Sequence, residues 1–125
     1  MNSPLQILLV EDEVITAMLM IKELKKNGFE VVSHVTTGEN AIEYSEENKP
    51  DLILMDIQLA GSLDGIEAAK QISNRFHIPV IFITCYEDDA TRERAKIPGS
   101  LRYLLKPVDM AELKSVINAH FHFQA

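Results

Sequence analysis

The sequence predicts a doubly wound α/β domain: a five-stranded parallel sheet covered by helices on both faces. Three observations carry this. Apolar runs near residues 5–10, 52–56 and 79–83 are almost unbroken, as strands buried on both faces must be. Five strand-like runs alternate strictly with five segments of helical periodicity. The connections are only a few residues long, which implies parallel strands joined by right-handed crossovers.

The first strand, Leu5 to Val10, ends on three acids, Glu11, Asp12 and Glu13. A helix follows from about Val14 to Asn27, with Lys22, Lys25 and Lys26 suited to the negative pole of its dipole and Gly28 placed to end it. Val14, Ala17, Met18, Ile21 and Leu24 are the expected inward stripe, which leaves Ile15, Leu19 and Met20 over. Either this helix is buried on more than one side, or it offers a partner an apolar patch. Glu30 to Val35 is a second strand, more polar, as an edge strand should be. The next helix, from about Glu39 to Asn48, turns Ala41, Ile42 and Ser45 inward, and Pro50 separates it from the third strand, which ends on Asp56. Asp64 is well placed as the N-cap of a helix that runs to Phe76 with Ile66, Ala69 and Ile72 as its apolar side. The fourth strand, Pro79 to Ile83, leads to Thr84 and Cys85. A charged helix, about Asp88 to Lys96, is closed by Pro98 and Gly99. Leu101 to Leu105 is the fifth strand, ending on Lys106 and Pro107, and the last helix starts near Asp109 with Leu113, Val116, Ile117 and Phe121 facing in.

A chain of 125 residues, 46% of them apolar, is expected to form one domain over residues 1–125 with a substantial core. Twelve Lys and Arg against nineteen Asp and Glu give a formal charge of −7, which disfavours direct binding to nucleic acid or to anionic membrane. The single cysteine, Cys85, has no internal disulfide partner. The first residues lack the basic start and apolar stretch of a signal peptide, and no run reaches the roughly 20 apolar residues that span a bilayer. A cytoplasmic protein is therefore expected. His34, His77, His120 and His122 show no metal-ligand spacing and are expected to be structural or solvated.

A carboxylate at a strand end, taken alone, is more often a turn or cap residue than a ligand. Asp56 gains weight from what ends the other strands: Glu11 and Asp12 after the first, Thr84 after the fourth, Lys106 after the fifth. In an open parallel sheet these positions share the edge where ligand chemistry gathers. Three crowded carboxylates repel and push at least one pKa up, unless a divalent cation joins them. Oxygen-only ligands describe Mg²⁺, which takes one or two carboxylates and then a phosphate, whereas Ca²⁺ would call for its 12-residue ligand loop. The Thr84 hydroxyl and the Lys106 ammonium complete a pocket suited to a phosphoryl group, with Asp56 as the nucleophile that forms an aspartyl phosphate. Viewed singly, Lys106 would be a solvated surface lysine. A flavin site would need a Gly/Ser/Thr-rich phosphate loop where Glu11, Asp12 and Glu13 would repel the phosphate. An aspartyl-phosphate hydrolase acting on small molecules would want an acid where Gln58 stands.

The acidic pair Glu11-Asp12, the apolar strand ending in Asp56, the Asp64-Gly65 turn, Thr84, and Tyr103 three residues before Lys106-Pro107 together resemble the receiver domain of two-component response regulators, over essentially the whole chain. The resemblance implies a flavodoxin-like (βα)5 fold with strand order 2-1-3-4-5. It also implies that Asp12 and Asp56 bind Mg²⁺ (or Mn²⁺) directly with the backbone carbonyl of Gln58, while Glu11 acts largely through a bound water. By the same resemblance Thr84 and Lys106 contact the phosphoryl oxygens, Tyr103 swings inward when Thr84 engages phosphate, and the Lys106-Pro107 bond is cis. The implied phosphoryl donor is a sensor histidine kinase or a histidine phosphotransfer domain. The implied assembly is a monomer or a weak, phosphorylation-dependent dimer.

Four features depart from the usual pattern of such domains. Glu11 stands where Asp is common. Cys85 follows Thr84 where alanine is usual, which narrows access to an acyl phosphate; Gln58 and Tyr86 flank the path of water, and the three together are expected to slow hydrolysis. The loop after Asp56 has Ala60 where proline is frequent and is one residue longer, similar to receivers attached to or partnered with multi-domain sensor kinases. The fourth helix and Pro98-Gly99-Ser100 lack the acidic Gly-Ala-Asp-Asp signature of receivers that dimerise to drive DNA-binding domains. The expected function is phosphoryl acceptance on Asp56 followed by conformational switching, with no catalysis beyond the domain's own phosphorylation and dephosphorylation. The alternative is a receiver-like interaction module that works without phosphate.

Overall fold

The computed structural model describes residues 4–121. Five strands alternate with five helices: β1 (Gln6–Val10), α1 (Val14–Lys26), β2 (Glu30–Val35), α2 (Gly38–Asn48), β3 (Leu52–Asp56), α3 (Gly65–Phe76), β4 (Val80–Thr84), α4 (Asp89–Arg94), β5 (Ser100–Leu105) and α5 (Met110–Phe121). All strand pairs are parallel, in the order β2-β1-β3-β4-β5. The doubly wound fold and its strand order are as expected, and the polar β2 is an edge strand.

Strand periodicity divides the core in two. Ile7 and Leu9, Leu52 and Leu54, Ile81 and Ile83 face α1 and α5 and pack with Leu24, Leu113 and Ile117. The alternate residues, Leu8 and Val10, Ile53 and Met55, Val80 and Phe82, face the other way and pack with Ala41, Ile66, Ala69 and Ile72 of α2 and α3. Each central strand is therefore apolar on both faces, which is why these runs read as unbroken. Side-chain oxygens cap four helices: Thr37 accepts from the Asn40 amide, Asp64 from Glu67, Asp88 from Thr91, and Asp109 from Ala111 and Glu112. Each satisfies an amide that has no partner inside its helix.

Two expectations need correction. Val14 and Met18 are not part of the inward stripe of α1: they are 57% and 63% exposed, beside Ile15 at 75% and Leu19 at 62%. Ala17, Met20 and Leu24 are the buried residues, with Ile21 packed at the margin. Both sides of α1 are apolar, so periodicity alone does not fix its rotation. The fourth helix is shorter than the pattern predicted, six residues with none buried, because tight turns from Ala95 onward replace helical bonds before Gly99. His122 lies outside the described residues.

Ser45, on the inner face of α2, is fully buried, and its Oγ has no hydrogen-bond partner among the described residues. An unsatisfied buried hydroxyl costs free energy that alanine does not. Ser45→Ala is expected to raise the unfolding free energy by about 1 kcal/mol, read as a higher urea midpoint with unchanged slope.

Candidate functional site

Parallel strands deliver their C-terminal ends to one edge of the sheet. The strand order reverses between β1 and β3, where a crevice opens because the following helices depart to opposite faces. Glu11 and Asp12 follow β1 there, Asp56 closes β3, Thr84 closes β4 and Lys106 follows β5. The structure thus brings together all five residues expected at the strand ends.

Glu11, Asp56 and Thr84 are buried although polar, and Asp12 is exposed. The Lys106 ammonium donates to Glu11 Oε1 at 2.5 Å and to Asp56 Oδ2 at 3.0 Å. Its own amide donates to the Thr84 carbonyl at 2.8 Å, and the Lys106-Pro107 peptide is cis. The Gln58 amide donates to Asp56 Oδ1 at 3.2 Å, and the Glu13 amide to Glu11 Oε2 at 3.1 Å. Gly65 shows why the Asp64-Gly65 turn needs glycine. Its amide donates to the Ile57 carbonyl at 2.7 Å, and a Cβ there would lie 2.1 Å from the Asp56 carbonyl oxygen. A side chain at this position would push β3 and α3 apart at the site itself.

The electrostatics follow from burial and from Lys106. Burial pushes the Asp56 carboxyl up; Lys106 pulls it down by hydrogen bond and charge, and the nearby Glu11 adds to the rise, for a value of about 6. Burial also raises Glu11, but its hydrogen bonds from Lys106 and from the Glu13 amide outweigh this and leave it below the usual range. Burial alone would lower Lys106; its two carboxylate partners hold it above its ordinary value. Glu11, Asp12 and Asp56 each present an oxygen within 4.8 Å of the others. One ammonium against three carboxylates leaves an excess negative charge, and an all-oxygen donor set of this span fits a hard divalent cation.

Around this centre, Thr84 Oγ1 accepts from the Tyr86 amide at 3.2 Å, and the Tyr103 hydroxyl donates to the Tyr86 carbonyl at 2.6 Å. The Arg92 guanidinium lies 4.6 Å from the centre of the Tyr103 ring. Gln58 and Tyr86 line a polar cleft of about 330 Å³ with Asp64, Asp88, Thr91 and Arg94. Cys85 is exposed and faces a different groove, an apolar one lined by Leu19, Met20, Lys106, Pro107 and Met110. Two contacts escaped the sequence reading. Arg94 pairs with Asp64 at 2.8 Å, tying α4 to the cap of α3, and His34 Nε2 lies 2.7 Å from the Glu11 carbonyl oxygen. They join residues 30 and 23 positions apart, which no local pattern reports.

Fold and site define an α/β domain with an acidic pocket, closed by a lysine, at the carboxyl edge of its sheet. The chain belongs to the response regulator receiver domain family, whose description matches residues 7–118. It is similar to the transcriptional regulatory protein PdtaR of Mycobacterium tuberculosis, 34% identical over 88% of this chain and 53% of that protein. It is also similar to protein PilH of Pseudomonas aeruginosa, 32% identical over 91% of this chain and 95% of PilH. The chain thus spans about half of the one relative and nearly all of the other. The signal receiver domain of a modulated diguanylate cyclase from Desulfovibrio desulfuricans superposes with a TM-score of 0.87 at 34% identity, covering 96% of this chain and 95% of that one. Among the described residues, no helix is long and apolar enough to cross a membrane.

In metal-free protein Asp56 is expected to titrate near pH 6, neutral below and ionised above. Lys106→Met removes a lowering influence and should move that titration higher. Carboxyl-carbon NMR checks both, and an Asp56 titrating near the ordinary 3.8 in the wild type would contradict the balance described.

Proposed function

We propose that Asp56 takes a phosphoryl group from a histidine kinase or a histidine phosphotransfer domain, in a reaction that depends on Mg²⁺ or Mn²⁺. The observation that carries this is the placement of a buried carboxylate at the end of β3, in contact with Lys106 and within reach of two further acids. Asp12, Asp56 and the Gln58 carbonyl would hold the cation, with Glu11 acting through water. When bound, the metal neutralises the crowded acids and draws charge from the phosphoryl oxygens. Lys106 stabilises the same oxygens as the Asp56 oxygen bonds to phosphorus and the bond to the donor nitrogen breaks. No other substrate is needed, and the only catalysis is of the domain's own phosphorylation and hydrolysis. Gln58 and Tyr86 lie in the polar cleft and Cys85 in the separate apolar groove, and slow hydrolysis is the role we assign to the three residues.

Switching follows from the contacts of Thr84. Its Oγ1 accepts from the Tyr86 amide and keeps its O–H free to donate, so a move of Thr84 toward a phosphoryl oxygen would pull on residue 86. Tyr86 in turn holds the Tyr103 hydroxyl, and Tyr103 stacks against Arg92, so a shift of residues 84–86 passes to β5 and α4. The exposed apolar stripe of α1 is the proposed dock for the helical bundle of the donor, beside the site it must reach. The whole is a single receiver domain over residues 1–125, cytoplasmic, monomeric or weakly dimeric when phosphorylated, with no direct contact to nucleic acid or membrane.

Incubation with a small acyl-phosphate donor and Mg²⁺ is expected to add one phosphoryl mass to the intact protein and none to Asp56→Ala. Addition that persists in the variant would overturn the assignment. Ile15→Asp and Leu19→Asp are expected to slow transfer from the kinase several-fold while leaving the small donor unaffected. Equal loss with both donors would remove α1 as the docking face.

A further inference from the structure

His34 projects from the edge strand β2, whose register sets Leu9 beside His34 and Val10 beside Val35. Past the end of β1 the pairing continues through a single backbone bond, from the Glu11 amide to the Val35 carbonyl at 3.1 Å. The Glu11 carbonyl is then held by a side chain, His34 Nε2 at 2.7 Å. A carbonyl only accepts, so this nitrogen carries the hydrogen. Both polar groups of the Glu11 backbone are therefore fixed by β2, one by strand pairing and the other by an imidazole.

The consequence falls on the next residue. Asp12 is exposed, and its carboxylate makes no hydrogen bond or ion pair with a described residue. Glu11 is clamped by Lys106 and the Glu13 amide, and Asp56 by Lys106 and the Gln58 amide. Asp12 alone of the three acids is aimed only by its backbone, and the peptide plane that places its Cα is the one whose oxygen His34 holds. We propose that His34 is a positioning residue for the metal site: by fixing the Glu11 carbonyl it orients the Glu11-Asp12 peptide and so presents the Asp12 carboxylate. This rests on the metal role proposed above. The structural role, satisfying a carbonyl at a strand end, accounts for a donor here but predicts no effect on metal affinity in folded protein.

The two are separated by titrating metal-free protein with Mg²⁺ alone in a calorimeter, with thermal melting in chelator to read stability independently. His34→Gln keeps an N–H at about the reach of Nε2, His34→Asn has a donor too short to arrive, and His34→Leu has none. Mg²⁺ affinity is expected to fall about 10-fold in the Leu and Asn variants, a magnitude typical of lost support for a metal ligand, and to stay within about threefold of wild type in the Gln variant. Wild-type affinity in either the Leu or the Asn variant overturns the proposal, as does an equal loss in all three. If the Leu variant does not fold, the Gln and Asn pair carries the same comparison. The metal site itself fails on different evidence, no Mg²⁺ uptake by wild type or full affinity in Asp12→Ala, and that failure would take the role of His34 with it.

Discussion

The Lys106 ammonium sits between two buried carboxylates, and the arrangement of the sheet edge depends on it. Glu11 and Asp56 could not both remain ionised in this setting without a cation between them. The lysine divides them unequally: Glu11, hydrogen-bonded at both oxygens, is held in its charged form, while Asp56 is left near the midpoint of its titration at about pH 6. That inequality leaves Glu11 the firmly charged acid of the pair and Asp56 the one whose charge is more easily changed. It also leaves room for a second cation, because a single positive charge cannot offset three acids.

Lys106 reaches this position because the sheet permits it. Strands β1, β3, β4 and β5 are neighbours in that order or one apart, so residues far apart in sequence arrive together wherever four parallel strands end. The alternation of apolar residues to the two core layers anchors each strand at a fixed height, and a slip of one residue would turn every side chain to the opposite face. Core packing thereby sets the geometry of the site. Gly65 adds a local limit, since α3 approaches the end of β3 too closely for any side chain.

Much of this was legible in the sequence, and what was not has physical reasons. Strand ends were readable because fully buried strands are continuous apolar runs that stop where solvent and chemistry begin; Asp64 was readable as a cap because its partner is three residues away. The rotation of α1 was not, since Val14, Ile15, Met18 and Leu19 are as apolar as the residues that face the core. Nor could the sequence separate Cys85 from Gln58 and Tyr86, which sit in different grooves on either side of the site. The contact of His34, a residue expected only to be structural or solvated, was the least legible. It depends on strand pairing across 23 residues, and a histidine on a strand has no spacing that marks it as the partner of a backbone carbonyl.

The shortness of α4 bears on how a change at Asp56 could be read elsewhere. None of its residues is buried, and Ala95 just beyond it is its firmest anchor in the core. What remains are the Arg94 pairs with Asp64 and Glu67 and the Arg92 stack on Tyr103, all partly exposed. Interactions of this kind contribute up to about 1 kcal/mol each, so shifting α4 costs little compared with moving any central strand. Phosphorylation of Asp56, as proposed, would add about −1.5 to −2 charges at the neighbouring strand end, and the chain from Thr84 through Tyr86 to Tyr103 ends on Arg92. A strong local perturbation is thus connected to the least anchored helix of the domain, so a modest free energy is enough to redistribute its positions.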